Sequence, residues 1–413
     1  MSKKTAIAYC IVAIGAILGV IYGGVSTSDF ISHLDRKLHP ISCSLFPFFS
    51  EKSWIDPSVE GCKVALFSNY SSFWRKSYWG GIPWSVPSMG LFSFALLVCL
   101  FSLITRRGHE MGPNISLLVA ALAATIASII FLKISRSELH VTCATCVGTY
   151  IASFILLLGT ILVLVFSRHD RFVSQVRYTT AGAFVGWILL FLLELGIFVS
   201  LPVLVYAKSV PDYTKAVTSC ENLNPTQDFD KYLIRLREAE DARVQGIFVT
   251  DPLCPACKAF HDRLRGLDVA KAINTRVFLL PLDAECNWML KDSMHPGACL
   301  LSKAVICAKE TANEVFDWIF ENQEELRMLG LGKAIEQIRE KVVKRFPNLA
   351  DCIQSRDTKI FLNKMLHEAA DMALPLITPQ FYVNGKRVCD EDTDLGLEYA
   401  LVRLLGNSDG DQK

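Results

Sequence analysis

Thr142-Cys143-Ala144-Thr145-Cys146 sets two thiols three residues apart where an uncharged run, Cys143 to Phe166, begins. That run is long enough to cross a bilayer at ~20 residues per helical span. Four more runs of this kind lie around it, at Thr5 to Val25, Pro87 to Ile104, Asn114 to Leu132 and Thr180 to Tyr206. From Lys208 onward the character changes to Lys/Glu-rich helical stretches broken by Pro and Gly. With 413 residues, 51% hydrophobic and 20% charged, the chain is too long for one ordinary domain and too apolar to be soluble throughout. A net charge of +1 supplies no basic field, so nucleic acid is not an expected partner.

The first run follows Lys3-Lys4. It is long for a signal-peptide core and is followed by further spans, so it reads as a retained helix. Residues 26–81 form a polar, aromatic-rich loop with Cys43, Cys62, Trp54, Trp74, Trp79 and the turn Trp79-Gly80-Gly81-Ile82-Pro83; its length suits a working cap over the bundle. Segments 1–4, 106–110 and 168–177 hold seven Lys/Arg in 19 residues, against eight in 64 for 26–81 and 133–140. Density places the first set in the cytoplasm. Five spans then bring Cys43, Cys62, Cys143, Cys146 and the second half of the chain to the outer, periplasmic face of a multi-pass inner membrane protein. Glu194, inside the fifth span, reads as a protonated group bonded within the bundle, and Pro202 as a possible end of that helix.

Fourteen cysteines are too many for a reducing compartment without metal sites, and neither CxxC has the second pair or His cluster that zinc requires. Thiol chemistry in an oxidising compartment fits, with no metal expected. The second pair, Cys254-Pro255-Ala256-Cys257, follows a β-branched run, Val244 to Thr250, and opens a helical pattern. A second strand is expected over Arg276 to Asp283 and helices between Pro296 and Leu374. A hairpin over Gln380 to Cys389 and a last helix over Asp394 to Leu404 close the pattern. Lys208 to Arg243 reads as a linker and an amphipathic helix around Asp228 to Asp241. This is the element order of a thioredoxin-like domain with a helical insert.

A cysteine at a helix start meets exposed N–H groups and the positive end of the helix dipole, which favour thiolate over thiol. The second cysteine, one turn on, can then resolve a mixed disulfide within the same site. A structural disulfide is the plain alternative, but a three-residue loop gains little from cross-linking when a fifteen-residue one gains ~3 kcal/mol. Two such pairs therefore point to redox catalysis.

Two resemblances attach to these residues. Residues 5–166, with Cys43, Gly61-Cys62-Lys63-Val64, Ser68, the Gly-Ile-Pro turn at 81–83, Cys143-Ala-Thr-Cys146 and Tyr150, resemble the vitamin K epoxide reductase family. Residues 244–405, with Cys254-Pro255-Ala256-Cys257 and Ile377-Thr378-Pro379 before Gln380-Phe381-Tyr382-Val383-Asn384-Gly385, resemble a DsbA-like thioredoxin domain, in the order found in bacterial fusions of the two.

The resemblance implies an all-α transmembrane helix bundle, a four-helix catalytic core plus a fifth linking span, followed by an α/β thioredoxin-like domain with a helical insertion. The boundaries expected are 1–170, 171–243 and 244–413. It implies that Cys146 reduces a ubiquinone- or menaquinone-type quinone, that Cys143 exchanges with Cys62, and that Cys43 takes electrons from the partner domain. Tyr150, one turn beyond Cys146, would contact the quinone. No Asn stands at the start of the second span, where some members bond a quinone oxygen. Cys254 would be the exposed nucleophile and Cys257 the resolving thiol, with Thr378 and a cis Pro379 facing them on the substrate side. The partners implied are secreted or periplasmic proteins with free thiols, membrane quinone and the lipid bilayer. Two other readings use the same residues: an outward conduit of reducing equivalents for a disulfide reductase or isomerase, and a non-enzymatic, disulfide-stapled membrane binding protein.

The remaining cysteines read as structural. Cys10 and Cys99 are expected to pack as small hydrophobes. Cys220, Cys286, Cys299, Cys307, Cys352 and Cys389 are expected to form disulfides whose connectivity spacing does not fix. His261 reads as a solvated helix residue, and His140 either as a solvated residue or as a cation that stabilises a thiolate at Cys143. The charged clusters between 321 and 345 read as a solvated helix face.

Overall fold

A computed structural model describes residues 1–36, 43, 57–106, 108, 110–139, 141–174, 181–237 and 244–408. His140, Trp54 and most of the early part of the long loop lie outside them. The chain forms two compact units, Met1–Pro211 and Asp212–Lys413.

The first unit is helical. Among the described residues, five helices are long and apolar enough to cross a membrane: α1 (Lys3–Ile31), α3 (Ser85–Ile104), α4 (Met111–Ser137), α5 (Ala144–Ser174) and α6 (Ala181–Ser209). A short α2 (Pro57–Leu66) and a two-strand hairpin, β1 (Ser72–Phe73) with β2 (Ile82–Pro83), lie between α1 and α3. The core holds Tyr9, Val12 and Ala16 of α1, Phe92 and Phe94 of α3, Leu117 and Ala120 of α4, and Leu156 and Val163 of α5. Lipid is as apolar as these side chains, so close approach and internal polar bonds must hold the helices together. Gly15 supplies the approach: a Cβ there would stand 2.7 Å from Leu156 N. At one end, Tyr9 Oη donates to Asn114 Oδ1, and Asn114 Nδ2 donates to Gly108 O at 3.0 Å and Ser167 Oγ at 3.4 Å, joining α1, α4 and α5. Nearer the other end, Ser128 Oγ donates to Ser153 Oγ at 2.9 Å.

The fifth helix packs on α3 and α4 and is otherwise largely exposed. It runs through Pro202 to Ser209 rather than ending at the proline. Proline removes one ladder bond, but a membrane offers the freed backbone groups no better partners than continued helix. Glu194 is half-buried on this helix. Cys10 faces outward from α1 instead of packing inside, whereas Cys99 is buried, its thiol donating to Tyr9 O at 3.1 Å.

The second unit is a five-stranded sheet flanked by helices. After α7 (Thr214–Val217), the strands are β3 (Ile234–Arg237), β4 (Val244–Thr250), β5 (Ile273–Leu279), β6 (Gln380–Val383) and β7 (Lys386–Arg387), in the order β3-β5-β4-β6-β7. The central pair β4/β5 is parallel and every other pairing is antiparallel. Helix α8 (Pro255–Arg265) makes the parallel crossover. The insert consists of α9 (Ala298–Ala308), α10 (Ala312–Glu321), α11 (Gln323–Leu331), α12 (Ile335–Arg345), α13 (Ala350–Gln354) and α14 (Arg356–Asp371); α15 (Leu397–Ser408) ends the unit. This is a thioredoxin-like α/β arrangement. Its core centres on Phe248 of β4, whose ring lies 5.2 Å from Phe260 and 6.4 Å from both Phe316 and Phe381.

The amphipathic helix expected around Asp228 to Asp241 is not formed over its described residues, 228–237. Phe229–Tyr232 is a 3-10 turn, and Ile234–Arg237 pairs with β5 as an edge strand. The charged residues that suggested a helix face are those that suit an open sheet edge. Six of the eight cysteines of this unit pair as Cys220–Cys389, Cys286–Cys299 and Cys307–Cys352, and Cys254 and Cys257 are free thiols. Charged side chains of α11 and α12 pair at the surface, Glu324 with Arg327 at 3.0 Å and Lys341 with Glu325 at 2.7 Å.

Candidate active site

In the membrane unit, Cys143 precedes α5 and caps it. Its Sγ accepts a hydrogen bond from Cys146 N at 3.2 Å, and its carbonyl accepts from Val147 N at 3.0 Å. The two cysteines form a disulfide with Cα atoms 5.2 Å apart. Cys43 and Cys62 form another, with Cα atoms 5.8 Å apart, and Cys62 lies in α2. Both disulfides reach one cavity of about 340 Å³, whose wall includes Cys62, Cys143, Cys146 and Tyr150. Phe92, Leu91, Phe131 and Trp84 supply much of its apolar lining.

The rim of this cavity is built by Arg75, which is buried. Its guanidinium donates to Ser72 Oγ at 2.7 Å, Ser71 Oγ at 3.0 Å, Asn69 Oδ1 at 3.3 Å and, through Nη2, to Ser68 O. One cation thereby fixes the segment 68–72 that carries Ser68 and Ser71 into the wall. The turn before β2 needs Gly81: its φ is +74°, and a Cβ would stand 2.5 Å from Phe73 O.

In the second unit, Cys254 caps α8 in the same way. Its Sγ accepts from Cys257 N at 3.4 Å, while its thiol lies 3.5 Å from Thr378 O. The Thr378–Pro379 peptide bond is cis. Gln380 holds this loop, Nε2 donating to Ile377 O at 2.7 Å and Pro375 O at 2.9 Å. On the other side, buried Gln323 donates from Nε2 to both Pro252 O and Cys254 O at 3.0 Å. Cys254 is 5% exposed and Cys257 fully enclosed, so the nucleophile expected to be exposed shows only a small face.

The two thiols are electrostatically unlike. The Cys257 thiol beside it, with smaller help from Thr378 and the Cys257 N–H, brings Cys254 down from 9.0 to about 7 against the opposing effect of burial. Burial pushes Cys257 well above the usual thiol range. Asp251, three residues before Cys254, is wholly buried and accepts from Leu253 N at 2.6 Å and Leu282 N at 2.5 Å. His295 Nδ1 lies 3.0 Å from Asp251 Oδ2, at too oblique an angle for a regular hydrogen bond. Burial draws the His295 pKa down, but its contact with Asp251 and the attraction of that charge outweigh it, and the net shift is upward.

One expectation needs revision, and three residues need adding. His261 is not solvated: it is buried against Phe316 and Phe320, with Nε2 3.5 Å from Asp317. Arg75 and Gln323, each fixing backbone at a cysteine site, carry no spacing signal. Asp29, a carboxyl in the last turn of α1 that also lines the cavity, was visible as an acid at the edge of an apolar run. Among the described residues, no group of three or more His, Cys, Asp or Glu is placed to hold a metal ion.

Comparison with known proteins agrees with this division. Residues 10–161 match the vitamin K epoxide reductase family and residues 239–401 match a thioredoxin family. No curated protein matches the whole chain or a part of it. Among solved structures, a thioredoxin-like oxidoreductase from Silicibacter pomeroyi DSS-3 is similar at 15% identity and a TM-score of 0.31, covering 44% of this chain and 98% of that one. Proteus mirabilis ScsC in a transitional conformation is similar at 17% identity and a TM-score of 0.31, covering 50% and 88%. The chain thus joins a membrane domain of the vitamin K epoxide reductase family to a thioredoxin-like domain, and the pair makes it a membrane thiol–disulfide oxidoreductase.

Proposed function

We propose that the chain oxidises thiols of secreted proteins at Cys254/Cys257 and delivers the electrons, through Cys43/Cys62 and Cys143/Cys146, to a membrane quinone. The observation that carries this reading is the shared cavity: a loop disulfide, a helix-capping disulfide and a phenol all line one half-open, largely apolar space. Its size falls at the lower end of small-molecule sites, and flat apolar walls with a hydroxyl donor suit a ring bearing two carbonyl oxygens. When bound, a quinone supplies a two-electron, two-proton acceptor.

Each exchange conserves one disulfide. A substrate dithiol reduces the Cys254–Cys257 disulfide and becomes a disulfide itself. Cys254, with its lowered pKa, then attacks at Cys43 and expels Cys62 as a thiolate, and Cys257 resolves the mixed disulfide, which frees Cys43. Cys62 attacks Cys143, releasing Cys146 as a thiolate toward the cavity. Cys43 then attacks Cys62, which reforms Cys43–Cys62 and leaves Cys143 and Cys146 as the reduced pair. Reoxidation of that pair to a disulfide would supply two electrons to the acceptor that Tyr150 orients. The thiol–disulfide sites stand on the periplasmic face in this scheme, with Thr378 and Pro379 contacting the substrate chain.

The test uses purified full-length protein with a soluble quinone. Cys146→Ala abolishes quinone reduction whether a reduced unfolded protein or dithiothreitol is the donor. Cys254→Ala stops only the protein-driven reaction. Full turnover of Cys146→Ala with dithiothreitol would sink the scheme. A membrane-impermeant maleimide checks sidedness: labelling of reduced Cys143 or Cys146 from the cytoplasmic side would reverse the direction of flow.

A further inference from the structure

We propose that His295 is a positioning residue of the Cys254/Cys257 site: as an imidazolium it neutralises the buried carboxyl of Asp251, so that this acid can pin the active-site loop without opposing a thiolate at Cys254. The proposal rests on the reading of Cys254 as the attacking thiol and is independent of the quinone step.

Asp251 follows β4 directly and is wholly buried. Its Oδ1 accepts from Leu253 N at 2.6 Å and its Oδ2 from Leu282 N at 2.5 Å, which ties the approach to Cys254 to the chain just beyond β5. Its carbonyl accepts from Cys254 N at 3.2 Å. The acid is therefore an anchor for the loop that presents the thiol. Its charge works the other way, because a neighbouring negative charge disfavours a second one. Of the influences on Cys254, led by the Cys257 thiol, the Asp251 charge is one that acts upward, against the helix start that favours thiolate.

The segment after β5 brings the compensating group. Asp283 organises it, Oδ2 accepting from Gly297 N at 2.9 Å and Cys299 N at 3.3 Å, and Oδ1 from Ser293 Oγ at 2.8 Å. The Cys286–Cys299 disulfide closes the same loop. His295 N donates to Leu282 O at 3.0 Å, so Leu282 gives its N–H to Asp251 and its carbonyl to His295. The imidazole is thereby set with Nδ1 3.0 Å from Asp251 Oδ2, its side chain 14% exposed. Nδ1 makes no regular hydrogen bond there, so the ring brings Asp251 charge rather than a directed bond.

The charged groups that face His295 are Asp251 after β4, Cys254 at the start of α8 and Arg327 on α11. Arg327 opposes a charged imidazole but is itself paired with Glu324 at 3.0 Å. Elsewhere α11 meets the loop at Gly330, against Pro296 O, and α12 through the apolar Ile335 and Ile338 beside Gly297. Burial draws His295 down, and the Asp251 contact and charge, with the Cys254 charge behind them, leave it net upward. Such coupling is reciprocal: a thiolate that favours the imidazolium is favoured by it to the same extent.

The experiment uses reduced full-length protein, iodoacetamide as probe and mass spectrometry to read alkylation at Cys254 across pH. The wild-type midpoint lies at about 7. In His295→Gln it rises by about one unit, the low end for a neighbouring charge, and the thiolate fraction at pH 7 falls about fivefold. In an Asp251→Asn background, where no charge is left to neutralise, adding His295→Gln leaves the midpoint where it was. An equal shift in both backgrounds gives His295 a role in loop structure alone and overturns the proposal. A second arm needs no variant: the His295 ring resonance, assigned through its bonded neighbours, titrates at higher pH in the dithiol form than in the disulfide form. Equal midpoints in the two forms overturn the proposal even where Asp251→Asn fails to fold. Alkylation at Cys257 in place of Cys254 would instead refute the reading on which the proposal rests.

Discussion

Replacing Cys257 by alanine removes the largest influence that holds the Cys254 thiol down. Cys254 ordinarily titrates at 9.0 and here at about 7, with the Cys257 thiol beside it as the leading cause and burial acting the other way. At pH 7 about half of Cys254 is therefore thiolate, against about 1% at the ordinary value. With Cys257 gone, the weaker bond to Thr378 and the helix N–H remain against an undiminished burial cost, so the midpoint moves up toward 9. Thiolate at pH 7 then falls about 50-fold, but a more basic thiolate is intrinsically more nucleophilic. A Brønsted slope of about 0.45 over two units returns roughly eightfold, so alkylation at pH 7 slows only about sixfold. The midpoint of the pH–rate profile for iodoacetamide is the decisive quantity, rather than the rate at one pH. The same shift has a sign in stability. An acid whose folded pKa is depressed stabilises the fold fully above its unfolded pKa, here 9.0, and loses that contribution as pH falls through about 7. Reduced wild-type domain should accordingly gain about 2 kcal/mol between pH 7 and 9, at 1.36 kcal/mol per unit with each end of the window half titrated, and Cys257→Ala should lose this slope. A wild-type midpoint near 9, or a midpoint that stays at 7 in Cys257→Ala, refutes the reasoning.

Gln323→Ala leaves two buried carbonyls, Pro252 O and Cys254 O, without their shared donor. Chemical denaturation should show a loss of roughly 2–4 kcal/mol, at 1–3 kcal/mol per unsatisfied group with partial relaxation, and the alkylation rate of Cys254 should change with it. Gly81→Ala forces a side chain into a left-handed backbone against Phe73 O. It should cost about 1–3 kcal/mol in thermal unfolding and slow dithiol-driven quinone turnover, because the turn carries Pro83 and Trp84 into the cavity wall.

The sequence made the helices of the first unit legible because membrane helices must satisfy every backbone group internally, so length and apolarity nearly define them. Strand 244–250 and the helix opening at Pro255 were legible for a different reason, since period, proline and cysteine spacing all agreed there. Residues 234–237 were not, because their pairing with β5 is non-local and their charge pattern serves an edge strand as well as a helix face. His261 was misjudged for a related reason: α10, fifty residues later, brings Phe316 and Phe320 over it. Disulfide connectivity lay beyond spacing, since Cys220 meets Cys389 across 169 residues only when the sheet has formed. The cysteines of the candidate site could be read from local motifs, whereas Arg75 and Gln323 act through contacts that exist only in three dimensions.

The two CxxC motifs share a device that their different surroundings would obscure. In both, the first sulfur occupies the position where Ser, Thr, Asp or Asn usually caps a helix, accepting the N–H of the residue three on. A thiol is a poor acceptor in that position and a thiolate a good one. Helix capping is thus strongest in the charge state that attacks or departs, and weakest once the sulfur is a neutral thiol. Serine at Cys143 or Cys254 would keep the cap while removing the chemistry, whereas alanine removes both. A catalytic loss seen equally in the serine and alanine variants, with the helix retained in the serine variant, would therefore be assigned to sulfur and not to a frayed helix start.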